Sequence, residues 1–223
     1  MNISYLIDQF NIIIETEEGF EKFRKALLQL AFQGKLTKQL PTDEPVENLL
    51  ECITKEKKRL YQNGKIKKTK YLRPSELEPT LLPLPANWSL VRLGSIITFT
   101  NGYAFKSDMF TNKGIGVVKI GDLQDGKVVE KNMNYIAPQI KGDIGEKYDV
   151  LPGDLLIAMS GATTGKLAFN KSDKRYLLNQ RVGILRPIEL SKSVLYYFLK
   201  TKVDENLRIS SGSAIPNLST KQI

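Results

Sequence analysis

The sequence predicts a mixed α/β (α+β) protein, with a helical N-terminal region followed by a mostly β domain that carries a late helix. Three observations predict it. Apolar residues recur at helical spacing through roughly the first 60 residues. Prolines at 74, 79, 83 and 85 then end that periodicity. From Trp88 onward, short β-rich runs alternate with glycine and Asp/Asn turns. The domain boundaries that follow are 1–73 for the helical region, 74–85 for a linker and 86–223 for the β domain.

The stretch "YLIDQFNIII" supplies a short apolar helix or an extended segment. Thr16 is suited to cap the next helix, whose face is Phe20, Phe23, Leu27, Leu30 and Ala31. Gly34 stands where a helix C-terminus wants a glycine. After the turn "LPTDEP", Thr42 or Asp43 can cap a second helix, with Pro45 in its first turn. Val46, Leu49, Leu50, Ile53 and Leu60 form its apolar face. Lys55, Lys57, Lys58 and Arg59 crowd its last turns, where cations suit the helix dipole. Asn63–Gly64 should end it. The lysines of "KIKKTK" (Lys65, Lys67, Lys68, Lys70) could hold phosphates or simply face water.

In the second half, "WSLVRLGSIITF", "GVVKIGDL", "GKVV", "DLLIAM", "KLAF" and "RVGILRP" read as strands. Trp88 is expected to anchor the core at the mouth of this domain. A late helix starts after Ser191 and should turn Val194, Leu195, Phe198 and Leu199 inward. The tail "ISSGSAIPNLSTKQI" is irregular, and no internal repeat is present.

Composition excludes several chemistries. The 223 residues are 41% hydrophobic and 26% charged, enough for a sizeable core. No apolar run approaches the roughly 18 residues that span a membrane, and "MNISYLIDQF" is a poor signal peptide. With Cys52 as the single cysteine, a cytoplasmic location is expected. The absence of histidine removes Ser-His-Asp and Cys-His catalysis and His-ligated zinc. The net charge of +9 favours a polyanionic partner, and residues 51–73 alone hold nine basic against two acidic side chains.

The stretch "SGATTGK", Ser160 to Lys166, has the ingredients of a phosphate loop. It has only three residues between its glycines, and Leu167 follows the lysine where a magnesium-binding hydroxyl is needed. A tight turn between strands fits better. Asp122, Asp125 and Asp154 could bind magnesium, but aspartate beside glycine is normally a turn residue. Asp43 with Glu56, Lys57 and Lys58 could mimic a nuclease set, although those last residues lie on a helix. No glycine-rich loop or N/D-P-P-Y/F element supports a methyltransferase.

Taken together, "FRKALLQLAFQGKLT", "DEPVENLLECITKEKKRLYQNGKIKK", "LPANWSLVRLGSI", "GYAFKSDMF", "VVKIGDL", "LPGDLLIAMSGATTGKLAF", "LLNQRVGILRP" and "GSAIPNLS" resemble the specificity subunit of type I restriction-modification systems, in the family's order. The resemblance covers essentially the whole chain. It implies a sequence-specific, non-catalytic module that reads double-stranded DNA, with "SGATTGK" as a strand–turn–strand. The helical region would be the conserved region that docks methyltransferase (modification) subunits. A restriction subunit completes the complex, and no membrane is involved. No cofactor is expected on this chain: S-adenosylmethionine would sit on the modification subunits and ATP on the restriction subunit. The family usually carries two recognition domains and long spacer helices, so an N-terminal fragment of a longer subunit is expected.

In that reading, amide and guanidinium side chains suit major-groove base edges, and lysines suit phosphates. The candidate DNA-binding residues are Tyr103, Lys106 and Ser107 in "NGYAFKS", and Gln139 and Lys141 in the loop "APQIKGD". Others are Lys174, Arg175 and Tyr176 in "KSDKRY", then Asn179, Gln180 and Arg181, and finally Ser211, Ser213 and Asn217. Asn179 and Gln180 could equally be strand-end amides that tie loops together. A structural or interaction module and a magnesium-dependent nuclease are the alternative functions.

Overall fold

The computed structural model describes residues 3–8, 10, 15–66, 84–124 and 126–202. The chain divides into two compact units, Met1–Arg92 with Tyr197–Thr201, and Leu93–Tyr196 with Lys202–Ile223. The class is the mixed α+β expected.

In the first unit, helix α1 is Ile3–Asp8, α2 is Glu17–Phe32 and α3 is Val46–Gln62. The Thr16 side chain accepts the Gly19 amide at 3.0 Å and caps α2. Both long helices end alike. Gly34 and Gly64 take φ of +67° and +68°, and the amides of Lys35 and Lys65 reach back to the carbonyls of Leu30 and Leu60. This is the glycine-terminated closure that a left-handed residue allows. The start of α3 differs from expectation. Pro45 is its N-cap, with no side-chain bond, while Asp43 instead accepts the Leu40 amide at 2.8 Å within the preceding turn. Leu30 and Ile53 are buried. Trp88 is no anchor of the β domain: it is 40% exposed and clusters with the first unit, near the Gly34 turn.

The second unit begins with one helical turn, α4 (Leu93–Ile96), where the sequence suggests strand. Strand β1 is only Ile97–Asn101 and pairs with β11 (Val182–Pro187) from Ile97↔Pro187 to Asn101↔Gly183. The remaining strands are β2 (Phe110–Thr111), β3 (Ile115–Val118), β4 (Leu123–Gln124), β5 (Gly126–Val128), β6 (Asn134–Ile136), β7 (Asp149–Val150), β8 (Leu155–Ala158), β9 (Leu167–Phe169) and β10 (Tyr176–Leu178). They form a six-stranded sheet, β1-β11-β8-β9-β5-β4, and a five-stranded sheet, β2-β6-β3-β10-β7. Pairing is antiparallel except β5 with β9 and β3 with β10.

Residues from both sheets make one core that includes Val118, Leu123, Val150, Leu156, Ala168, Leu178 and Ile184. The other face of the second sheet is also covered. Val117, Ile136 and Leu177 pack there with Phe105, Tyr103, Tyr148 and the Ile140 and Ile144 of helix α5 (Pro138–Ile144). Strands buried on both faces read as continuous apolar runs, as "DLLIAM" does. Helix α6 (Lys192–Thr201) buries Leu195 and Leu199, but Val194 is 44% exposed and faces out, contrary to expectation.

The two sheets are joined by backbone at one end. The Asn179 amide donates to the Val118 carbonyl at 3.1 Å. Tyr103 donates to Leu178 at 2.8 Å and accepts from Gln180 at 2.9 Å. A Cβ on Gly102 would lie 2.0 Å from the Asn179 carbonyl oxygen, so only glycine fits. We predict that Gly102→Ala lowers stability by about 3 kcal/mol or more, because backbone must move. Gly121→Ala, whose Cβ meets nothing within 4 Å, should shift the urea midpoint little. Equal midpoints for the two variants would contradict this junction.

Candidate nucleic-acid interface

The strand ends decide which loops are neighbours. Four segments gather where the sheets join: 102–107 after β1, 119–122 after β3, 159–166 between β8 and β9, and 179–181 between β10 and β11. Bonds link them directly. Met159 donates to the Arg181 carbonyl at 2.8 Å, Asn179 to Val118, and Gly102 to Val182. The Cδ1 of Ile120 lies 3.5 Å from where a Cβ on Gly161 would stand.

This end brings together Tyr103, Lys106, Ser107, Asn179, Gln180 and Arg181. Their roles differ. Tyr103 packs edge-on against Phe105 and Tyr148, with ring centroids 5.0 and 5.5 Å away. Asn179 is buried, and its Oδ1 is 3.4 Å from the Arg181 amide. It is the loop-tying amide of the two readings that the sequence left open. Lys106, Ser107, Gln180 and Arg181 are exposed. Lys166, which is not among the candidate residues of the sequence, is exposed beside them. Among the described residues, no hydrogen bond or ion pair holds the side chains of Lys106, Lys166 and Arg181, while Asp108 is the acidic neighbour of Lys106. Lys119 is different: its Nζ donates to Asn134 Oδ1 at 2.6 Å and lies over the Phe110 ring.

Lys174, Arg175 and Tyr176 lie at the opposite end of β10. They line a hollow of about 430 Å³ with Gly114, Ile115, Gly116, Glu130 and Tyr135. Lys174 is tied to the Glu130 carboxylate at 2.9 and 3.0 Å. Tyr176 is buried, and its hydroxyl donates to Glu130 at 2.6 Å. The Tyr176 hydroxyl bond, then Lys174, hold the Glu130 carboxyl below its ordinary range. Burial, then the Glu130 bond, raise the Tyr176 hydroxyl. Arg175 alone of the three is exposed without a described partner.

Gln139 and Lys141 are not on a loop. Pro138 opens helix α5 rather than breaking the chain, and Gly145, at φ +78°, closes it. Lys141 Nζ is bound to the buried carboxylate of Asp149 at 2.9 Å. The lysine expected on an exposed loop stands instead on a helix and is ion-paired. Ser211, Ser213 and Asn217 lie outside the described residues, as do Lys67, Lys68, Lys70 and Asp125.

The remaining acids serve the fold. Asp122 Oδ2 accepts the Lys119 amide at 2.8 Å, and burial raises its carboxyl above the usual range. Asp154 accepts the Leu151 amide at 2.7 Å and holds the Arg186 guanidinium through two bonds of 2.8 and 2.6 Å. Glu56 pairs with Arg59 along α3. Among the described residues, no helix is long and apolar enough to cross a membrane.

Residues 85–223 match the family described as the type I restriction modification DNA specificity domain. The type I restriction enzyme EcoAI specificity subunit of Escherichia coli is 35% identical over 231 residues, covering 100% of this chain and 39% of that protein. The EcoEI specificity subunit of the same organism is 33% identical over 164 residues, covering 72% and 27%. Among solved structures, a chain from a study of complex assembly and conformational transition of the type I R-M system superposes with a TM-score of 0.51. At 18% identity, over 79% of this chain and 43% of that one, it speaks for the fold alone. The chain thus spans about two-fifths or less of the length of these curated relatives.

The Glu130 cluster yields a pH test. Its depressed carboxyl stabilises the fold above the ordinary glutamate range, and that contribution is lost as pH falls through the folded value. Glu130→Gln should therefore have a lower urea midpoint than the wild type at neutral pH. The gap should close in strong acid. A gap that is constant across the acid range would contradict this role.

Proposed function

The chain belongs to the type I restriction modification DNA specificity family, and from that premise we propose that it reads one half of a split DNA site without catalysing a reaction. The observation that carries this reading is the exposed Lys106, Lys166 and Arg181, with no side-chain partner among the described residues, on three of the four loops that meet at one end of the two sheets. Cations without internal partners are free to neutralise phosphates. Gln180 and Arg181, side by side on a short turn, offer the amide and the guanidinium fork that suit adenine and guanine edges. Lys141 and Lys174 are already paired, so they belong to the scaffold of this site rather than to its contacts.

The helical unit is proposed to dock modification subunits. It offers Phe20, Leu49 and Tyr61 as large apolar side chains that are 47%, 37% and 46% exposed. In this scheme double-stranded DNA is the ligand of the β domain. A restriction subunit joins the complex through the modification subunits, and methyl donor and ATP belong to those partners.

The test is a genome-wide methylation map from cells that express the specificity subunit with its modification subunits. Arg181→Ala should cost about 1–3 kcal/mol of recognition and relax one position of the methylated sequence. Lys106→Ala should weaken all sequences alike and lower the salt slope of DNA binding by about one. An unchanged sequence at normal rate in Arg181→Ala, with a broadened one in Arg175→Ala, would move the reading surface to the other end of β10.

A further inference from the structure

The turn Ser160–Lys166 carries more polar groups than it uses. Its internal bonds are few. Thr164 donates to Gly161 through both its amide and its hydroxyl, at 3.1 and 2.7 Å. Gly165 donates to Ala158, and Lys166 to Thr163. The consecutive amides of Gly161, Ala162 and Thr163 donate to no group among the described residues. The hydroxyls of Ser160 and Thr163 are shielded from water and have no hydrogen-bond partner either. An unpaired buried hydroxyl is unfavourable in the free protein and is uncommon without a reason.

Both residues are only half-buried as a whole. A rotation about χ1 between staggered positions can therefore turn each hydroxyl outward; for Thr163 it exchanges hydroxyl and methyl. Gly161 and Gly165 take φ of +80° and +83°, a conformation in which successive amides can form an anion-binding concavity. Lys166 is exposed at the end of the turn. Arg181 is held next to its start by the Met159 amide.

We infer that the Ser160–Lys166 turn is a clamp for one phosphate of the DNA backbone. It fixes the register of the domain on the duplex while Gln180 and Arg181 face the bases. Phosphate contacts of this kind position a protein without reading sequence. The inference rests on the DNA-reading function proposed above. The same phosphate chemistry could come from a free nucleotide, but the turn lacks the magnesium-binding hydroxyl after Lys166, so the backbone of DNA is the source assigned.

The experiment measures binding of the purified chain to duplexes of several sequences across a salt series, together with its melting temperature. The variants are Ser160→Ala with Thr163→Val, and Lys166→Ala alone. The double variant should raise Kd about tenfold on every sequence, since two hydroxyl bonds to a charged group are lost. Its melting temperature should stay the same or rise. Lys166→Ala, at an exposed side chain that folding does not need, should lower the salt slope by about one. Four outcomes overturn the clamp: variants that bind like the wild type, a loss confined to certain sequences, a double variant that melts earlier in step with its weaker binding, or saturable ATP binding that Lys166→Ala abolishes. A folded wild-type chain that binds no duplex at all would instead sink the DNA-reading function, and the clamp with it.

Discussion

The close approach of Gly102 to the carbonyl of Asn179 organises the β unit. There the chain passes from one sheet to the other twice, after β1 and after β10, and the two crossings lie back to back. A side chain at position 102 would hold them apart. With glycine they close, and Tyr103 pairs across to Leu178 and Gln180. The third crossing, after β3, joins them through Asn179 and Val118. Three loops far apart in sequence are thereby fixed to within a hydrogen bond of one another. The rigid part of the fold ends there, and exposed cations begin.

The opposite end is built on charge pairs rather than on backbone. Arg186 of β11 holds Asp154 through two bonds and donates to the Asp149 carbonyl at 2.9 Å, while Lys141 neutralises the Asp149 carboxylate. Glu130 ties Lys174 and Tyr176. A cation that completes a buried pair, as Lys141 does with Asp149 and Arg186 with Asp154, is a poor phosphate ligand, because leaving the buried carboxylate uncompensated costs more than a surface contact returns. The division of labour between the two ends follows from this difference. At one end the buried carboxylates of Asp149 and Asp154 hold Lys141 and Arg186 within the sandwich, and at the other Lys106, Lys166 and Arg181 face solvent.

Much of this was legible in the sequence where local chemistry decides. Thr16, Gly34 and Gly64 mark helix ends because capping depends on single residues. The long apolar runs at 154–159 and 181–187 mark strands because both their faces are covered. Some strands of two or three residues, such as Asp149–Val150 and Tyr176–Leu178, could not be read, since their partners define them. Helix α5 was hidden because Pro138, Gly142 and Gly145 look like loop punctuation, although a proline opens a helix well. The family was legible from motifs in order. The candidate site was legible only in part. The sequence names Gln180 and Arg181, which lie exposed at the candidate site, but Lys174 and its partner Glu130 are 44 residues apart, and no spacing rule reveals such a pair. Lys166 is not legible as a contact from its motif, because what places its turn in the site is tertiary: Ile120 lies by Gly161, and Arg181 is bonded to Met159.

The central claim is that DNA lies against the sheet end formed by residues 102–107, 159–166 and 179–181. Hydrogen–deuterium exchange of the folded chain, with and without duplex DNA, tests it most directly. The account predicts added protection in those three segments, with none at 151–154 or 170–175. Protection confined to 170–175, with 159–166 unchanged, would contradict it.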